Sequence, residues 1–114
     1  RRAFLINEFC PGVSLLHFLS PDREPEVAVA SALVSLFQRL HTLRISHGDL
    51  KASNLLWHDG SVFLIDLDAL VQHRSASGHA RAWRRDRERL LRNWPAPSIL
   101  HRWLDRNLPP AKVG

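Results

Sequence analysis

The segment from His47 to Asp66 constrains the fold of this chain more than any other. It opens with His47-Gly48-Asp49-Leu50-Lys51-Ala52-Ser53-Asn54, which reads as a loop. Leu55-Leu56-Trp57 follows as a brief strand, His58-Asp59-Gly60 as a tight turn, and Ser61 to Asp66 as the returning strand. Asp-Gly between apolar runs is a strong hairpin signal, because both central residues of the favoured turn have positive φ. Such a hairpin brings Asn54 and Asp66 to one end, with Asp49 in the loop at that same end.

The segment preceding this loop carries the clearest helical signal in the chain. From Glu26 to Arg44, Ala30, Leu33, Val34, Phe37, Leu40 and His41 recur at helical spacing, with Leu36 and Leu43 widening the stripe. Polar positions are few, so the expectation is a central helix buried on much of its circumference. Upstream, Phe4 to Phe9 reads as a short strand ended by the turn signal Cys10-Pro11-Gly12. Val13 to Leu19 reads as a short helical segment, and Ser20 to Pro25 as a polar connector.

Downstream, Gln72 to Gly78 is polar and rich in small residues, hence a loop. His79 to Trp94 returns to helix, with Trp83, Leu90, Leu91 and Trp94 on one side and Pro95 and Pro97 ending it. Ser98 to Leu108 is a last short helix with Ile99, Leu100, Trp103 and Leu104 inside. The segment 109–114 reads as a frayed tail. The fold class expected is α+β, mainly helical, with a small β-hairpin carrying the site.

At 114 residues the chain is one domain at most. There is no apolar run of membrane-span length and no pattern of a secretory leader. The single Cys10 excludes an internal disulfide and fits a reducing compartment, so a cytoplasmic location is expected. The chain begins Arg1-Arg2-Ala3-Phe4 and contains no methionine, which reads as a piece of a longer protein missing its front. The net charge of +5 comes from 14 arginines and 2 lysines against 11 acids. Either a solvated arginine surface or an anionic partner accounts for it.

Asp49, Asn54 and Asp66 are three oxygen-bearing side chains at one end of the hairpin. Phosphoryl transfer from ATP needs such a set: one carboxylate to position and deprotonate the acceptor hydroxyl, and two groups to hold the magnesium. Mg2+ takes one or two protein oxygens plus substrate phosphates, so Asn54 and Asp66 suffice. Asp49 is then the base, orienting the hydroxyl and taking its proton late. Lys51 is placed to contact the transferring phosphate. Gly48 leaves room at a tight bend. His47 is read as structural, packing the loop onto the core and bonding backbone. Taken singly, Asp49 and Asn54 are also ordinary turn residues.

His-Gly-Asp-Leu-Lys-x-x-Asn followed by Leu64-Ile65-Asp66 resembles the catalytic loop and metal-binding segment of the protein-kinase-like superfamily. Leu64-Ile65-Asp66-Leu67-Asp68 and Arg85-Asp86-x-x-x-Leu90-Leu91-Arg92 look like the bacterial lipopolysaccharide core kinases, over roughly Phe4 to Trp94. The resemblance implies ATP and Mg2+ as cofactors, and heptose or Kdo of the inner core as acceptor. It also implies that residues 1–12 end an N-terminal lobe and its hinge, with Glu8, Phe9 and Cys10 beside the adenine, and that 13–108 form the C-terminal lobe. Asn54 would touch the nucleotide as well as the metal. Asp86 sits in the apolar stripe of its helix, where a carboxylate must find donors. By the resemblance it braces the catalytic loop through backbone N–H groups.

The departures are informative. No Gly-rich clamp or phosphate-binding lysine precedes Asp49, so the rest of the nucleotide cleft is expected in a missing N-terminal lobe. Asp68 replaces the usual glycine after the metal aspartate and is a candidate second metal contact. Few residues separate Asp66 from the next helix, which favours a small or sugar acceptor over a protein. Other readings keep the fold with an aminoglycoside-type or protein serine/threonine acceptor, or make the chain a non-catalytic binding module. The basic run Arg81 to Arg92 reads as a packed helix with a solvated arginine face, able to meet an anionic inner-membrane surface; nucleic acid is not favoured. Seven histidines and one cysteine show no zinc spacing.

Overall fold

A computed structural model describes residues 12–111. Its elements are β1 (Val13–Ser14), α1 (Leu15–Phe18), α2 (Val27–Leu43), β2 (Ile45–Ser46), a 3₁₀ turn at Ala52–Asn54, β3 (Leu55–His58), β4 (Ser61–Leu64), β5 (Val71–Gln72), α3 (Ala76–Leu91) and α4 (Ile99–Asn107). The class is α+β, mainly helical, as the sequence indicates. Glu8, Phe9 and Cys10 lie outside the described residues.

Helix α2 forms where the apolar period predicts it, within a residue at each end. Val29, Leu33, Leu36, Phe37 and Leu40 are buried, and Arg44 closes the helix in the left-handed conformation at φ 56°. The expectation of burial on much of the circumference is corrected. Ala28, Ser31, Ser35, Gln38 and Arg39 form an exposed side, and Leu43 is 41% exposed at the end of the stripe.

The hairpin forms in the register expected of a two-residue loop, with Leu55 opposite Leu64 and His58 opposite Ser61. Asp59 and Gly60 supply the two positive φ values, 51° and 79°. Val62 and Leu64 point into the core and Ser61 to solvent, and α2 packs against this strand. Strand β1 adds to the other side of β3, pairing Val13 with Trp57. The segment read as helical from Val13 therefore begins as a strand and turns helical only at Leu15. The returning strand stops at Leu64 rather than Asp66, because Asp66 has φ 59° and leaves the extended conformation.

Helix α3 begins three residues earlier than its composition suggests. Ser75 Oγ accepts from the Gly78 N–H at 3.0 Å, so the small polar run is a capped helix start rather than a loop. The helix ends at Leu91 instead of Trp94, and the Asn93 side chain takes up the carbonyls of Arg89 and Leu90. Trp83 lies 5.1 Å from Phe37, ring to ring, joining α3 to α2. On α4, Leu100, Trp103 and Leu104 are buried, but Ile99 is 43% exposed in the first turn. The expected tail is tied at its first residue. Pro109 O accepts from Trp83 Nε1 and from Arg87 Nε, both at 3.0 Å.

Candidate active site

The site is built from α3 upward. His79, Ala82, Trp83, Asp86, Leu90 and Leu91 are buried on this helix, which makes Asp86 a carboxylate in a mainly apolar face. It is 4% exposed. Its Oδ2 accepts from the His47 N–H at 2.7 Å and its Oδ1 from the Gly48 N–H at 3.0 Å. Burial pushes this carboxyl above the ordinary carboxylate range, while the two backbone donors oppose that shift. Two successive N–H groups can aim at one carboxylate only if the chain bends sharply there. Gly48 provides the bend at φ 93°, and a Cβ on it would meet Ala69 Cβ at 2.6 Å and Ala69 O at 2.8 Å.

His47 carries the loop across to the hairpin. Its ring is buried, with Nδ1 accepting from the Asp49 N–H at 3.1 Å and Nε2 donating to Ile65 O at 2.8 Å, a neutral tautomer assigned from these partners. Asn54 completes the frame. Its Nδ2 donates to Asp49 O at 2.9 Å, and its own carbonyl accepts from the Ile65 N–H at 3.0 Å. The loop bearing Asp49, the 3₁₀ turn ending in Asn54 and the strand end before Asp66 are thus joined by short hydrogen bonds.

The groups left uncommitted have the chemistry of a metal and substrate site. With Nδ2 engaged, Asn54 keeps Oδ1 for a cation. The Asp66 side chain is exposed, with no hydrogen-bond or ion-pair partner among the described residues. Its left-handed backbone is tolerated by aspartate better than by most residues and marks a position held by its surroundings. Among the described residues no three acids, histidines or cysteines cluster as a closed metal cage. One amide and one carboxylate with room for phosphates suit Mg2+. Asp68 is exposed, and the strand alternation that would align it with Asp66 ends before either residue.

Asp49 is half-exposed. Lys51 Nζ lies 3.8 Å from its Oδ2, and Arg89 Nε lies 3.9 Å from its Oδ1. Sequence reasoning places Lys51 here and misses Arg89. The usable signal is spacing: Arg89 lies one helical turn beyond Asp86, which places it near the loop that Asp86 holds.

The family model described as the lipopolysaccharide kinase (Kdo/WaaP) family matches residues 1–108. This chain belongs to that family. The family is described as one of kinases, and the loop of Asp49, the Asn54 amide and the Asp66 carboxylate are groups that phosphoryl transfer uses. Among curated relatives, Serine/threonine-protein kinase 10 of Danio rerio is 35% identical over 102 residues, covering 84% of this chain and 10% of that protein. A Methanospirillum hungatei protein described as a probable bifunctional tRNA threonylcarbamoyladenosine biosynthesis protein is 34% identical over 80 residues, covering 66% of this chain and 14% of its own length. The Kdo/WaaP-family chain therefore spans a small part of the curated relatives it matches.

Proposed function

We propose that the full-length protein transfers the γ-phosphoryl group of ATP to a sugar hydroxyl, heptose or Kdo of the lipopolysaccharide inner core, and that this chain is its C-terminal lobe. The observation that carries the reading is Asp86 holding the His47–Gly48 backbone, with Asn54 bonded to the Asp49 carbonyl beside Asp66. Asp49 receives the hydroxyl, orients it and takes its proton as the new bond forms. Lys51, at the same carboxylate, stabilises charge on the moving phosphoryl group. Asn54 Oδ1 and the Asp66 carboxylate would hold Mg2+, which neutralises the phosphates when bound. Glu8, Phe9 and Cys10 are assigned to the adenine by resemblance alone.

The short segment after Asp66 favours a sugar acceptor. Only residues 67–75 separate Asp66 from α3, and within them β5 pairs with β2, which leaves little chain for a peptide platform. Among the described residues no helix is long and apolar enough to cross a membrane. We place the activity at the cytoplasmic face of the inner membrane, where ATP meets a lipid-linked acceptor.

The test is acceptor profiling with full-length protein, Mg2+ and γ-labelled ATP. Label is expected on a core-sugar hydroxyl of purified core glycolipid, with serine peptides and aminoglycosides unlabelled. Labelling of peptide or aminoglycoside in place of core sugar would overturn the assignment.

A further inference from the structure

Beside Asp49 lies a cleft of about 380 Å³ whose walls carry more cation than the phosphoryl-transfer roles use. Gly48 and Asp49 form one side, Ala69 and Ala82 contribute small side chains, and Arg85 and Arg89 of α3 border it together with Arg92, which caps that helix. The three arginines are spaced i, i+4 and i+7, so they make one stripe along the helix. We propose that this stripe reads an oxyanion on the acceptor, a phosphate or carboxylate carried close to the hydroxyl that Asp49 activates. The inference rests on Asp49 being the base of the kinase reading.

Charge distribution supports it. The other arginines of α3 do not line the cleft: Arg87 pairs with Asp105 at 2.9 Å, Arg84 lies 3.9 Å from Glu88 at the surface, and Arg81 is exposed elsewhere on the helix. Arg85 and Arg92 are exposed and have no acidic partner among the described residues. The cleft holds two carboxylates, and both are already engaged. Asp86 accepts two backbone N–H groups, and Asp49 lies between Lys51 and Arg89. Guanidinium groups present planar, forked donors that match carboxylate and phosphate geometry. Arg89 touches both the Asp49 carboxylate and the cleft, so it orients the base as the anion arrives; Arg85 and Arg92 determine which acceptor is held.

The experiment uses full-length protein saturated with Mg2+ and a non-hydrolysable ATP analogue, so that the nucleotide phosphate sites are filled. Glucose 6-phosphate, glucuronate and glucose are titrated by NMR into the wild type and into the double variant Arg85→Gln/Arg92→Gln. Wild type is expected to bind at least one anionic probe about tenfold or more tightly than glucose. The double variant is expected to lose that preference with nucleotide affinity unchanged. Preference for glucose 6-phosphate identifies a phosphate as the group read, and preference for glucuronate a carboxylate. Equal binding of all three probes by wild type would overturn the proposal, as would a preference that survives in the variant. The same holds if the substitutions weaken sedimentation with phosphatidylglycerol vesicles and leave probe preference intact, since the arginines would then serve the membrane surface. Absent phosphoryl transfer by a wild type that still prefers the anions would sink the kinase reading and leave the anion site standing.

Discussion

Replacing Asp49 by Asn is expected to lower phosphoryl transfer by the full-length protein about 10²–10⁴-fold, with fold and nucleotide binding retained. In the proposed role of Asp49, the substitution removes the proton acceptor and keeps the side chain's shape. The structural bonds of this residue run through its backbone, the N–H to His47 Nδ1 and the carbonyl to Asn54 Nδ2, and neither changes. Its carboxylate makes only long, half-exposed ion pairs with Lys51 and Arg89. Pairs of that kind contribute about 0–1 kcal/mol, so the unfolding midpoint should barely move. Initial rates and a denaturant titration on the same preparation check both halves. An Asp49→Asn enzyme with undiminished turnover would remove Asp49 from the chemistry.

The second large effect belongs to Asp86, which touches no reacting atom. Asp86→Ala leaves the His47 and Gly48 N–H groups without their acceptor, and an unsatisfied buried donor costs about 1–3 kcal/mol. The His47 donor is buried and the Gly48 donor only part-buried, so a loss of about 1–4 kcal/mol is expected, together with faster hydrogen exchange at both amides. Because burial already raises this carboxyl above its ordinary range, part of what the two bonds contribute is offset by the charge they hold. Asp86→Asn should fall between, since it keeps one acceptor oxygen and turns an NH₂ toward the other donor. Transfer should drop in both variants, because the loop that presents Asp49 is released. Unchanged stability and unchanged amide protection in Asp86→Ala would show that the loop is held by something else.

Asp86 also shows how far the sequence alone reaches. A carboxylate in an apolar helical stripe must find donors, which is legible there, while the loop as their source is what the resemblance to the kinase superfamily implies. Helix α2 and the hairpin are legible because seventeen residues of helical periodicity and an Asp-Gly turn are strong local signals. The β2–β5 pair is not, since two residues per strand carry no period and the partners are distant in sequence. The start of α3 is hidden by its cap: Ser75 begins a small polar run that composition alone assigns to a loop. Ile99 and Leu43 are apolar at helix ends, where the neighbouring surface runs out and periodicity says nothing about cover. Arg89 requires the position of the loop relative to α3, a tertiary fact. The arginine run read as a solvated face thus divides into the exposed Arg81, ion pairs of Arg84 and Arg87, a partner of Asp49 and a cleft wall.

The division of labour among Asp49, Asn54 and Asp66 is the central claim, and metal–nucleotide binding separates its parts. Mn2+–ATP affinity of the full-length protein, followed by electron paramagnetic resonance, should fall about tenfold or more in Asp66→Asn, which removes a hard anionic ligand. The same affinity should be unchanged in Asp49→Asn, which alters the group facing the acceptor hydroxyl. Wild-type affinity in Asp66→Asn, or an equal loss in Asp49→Asn, would contradict the account.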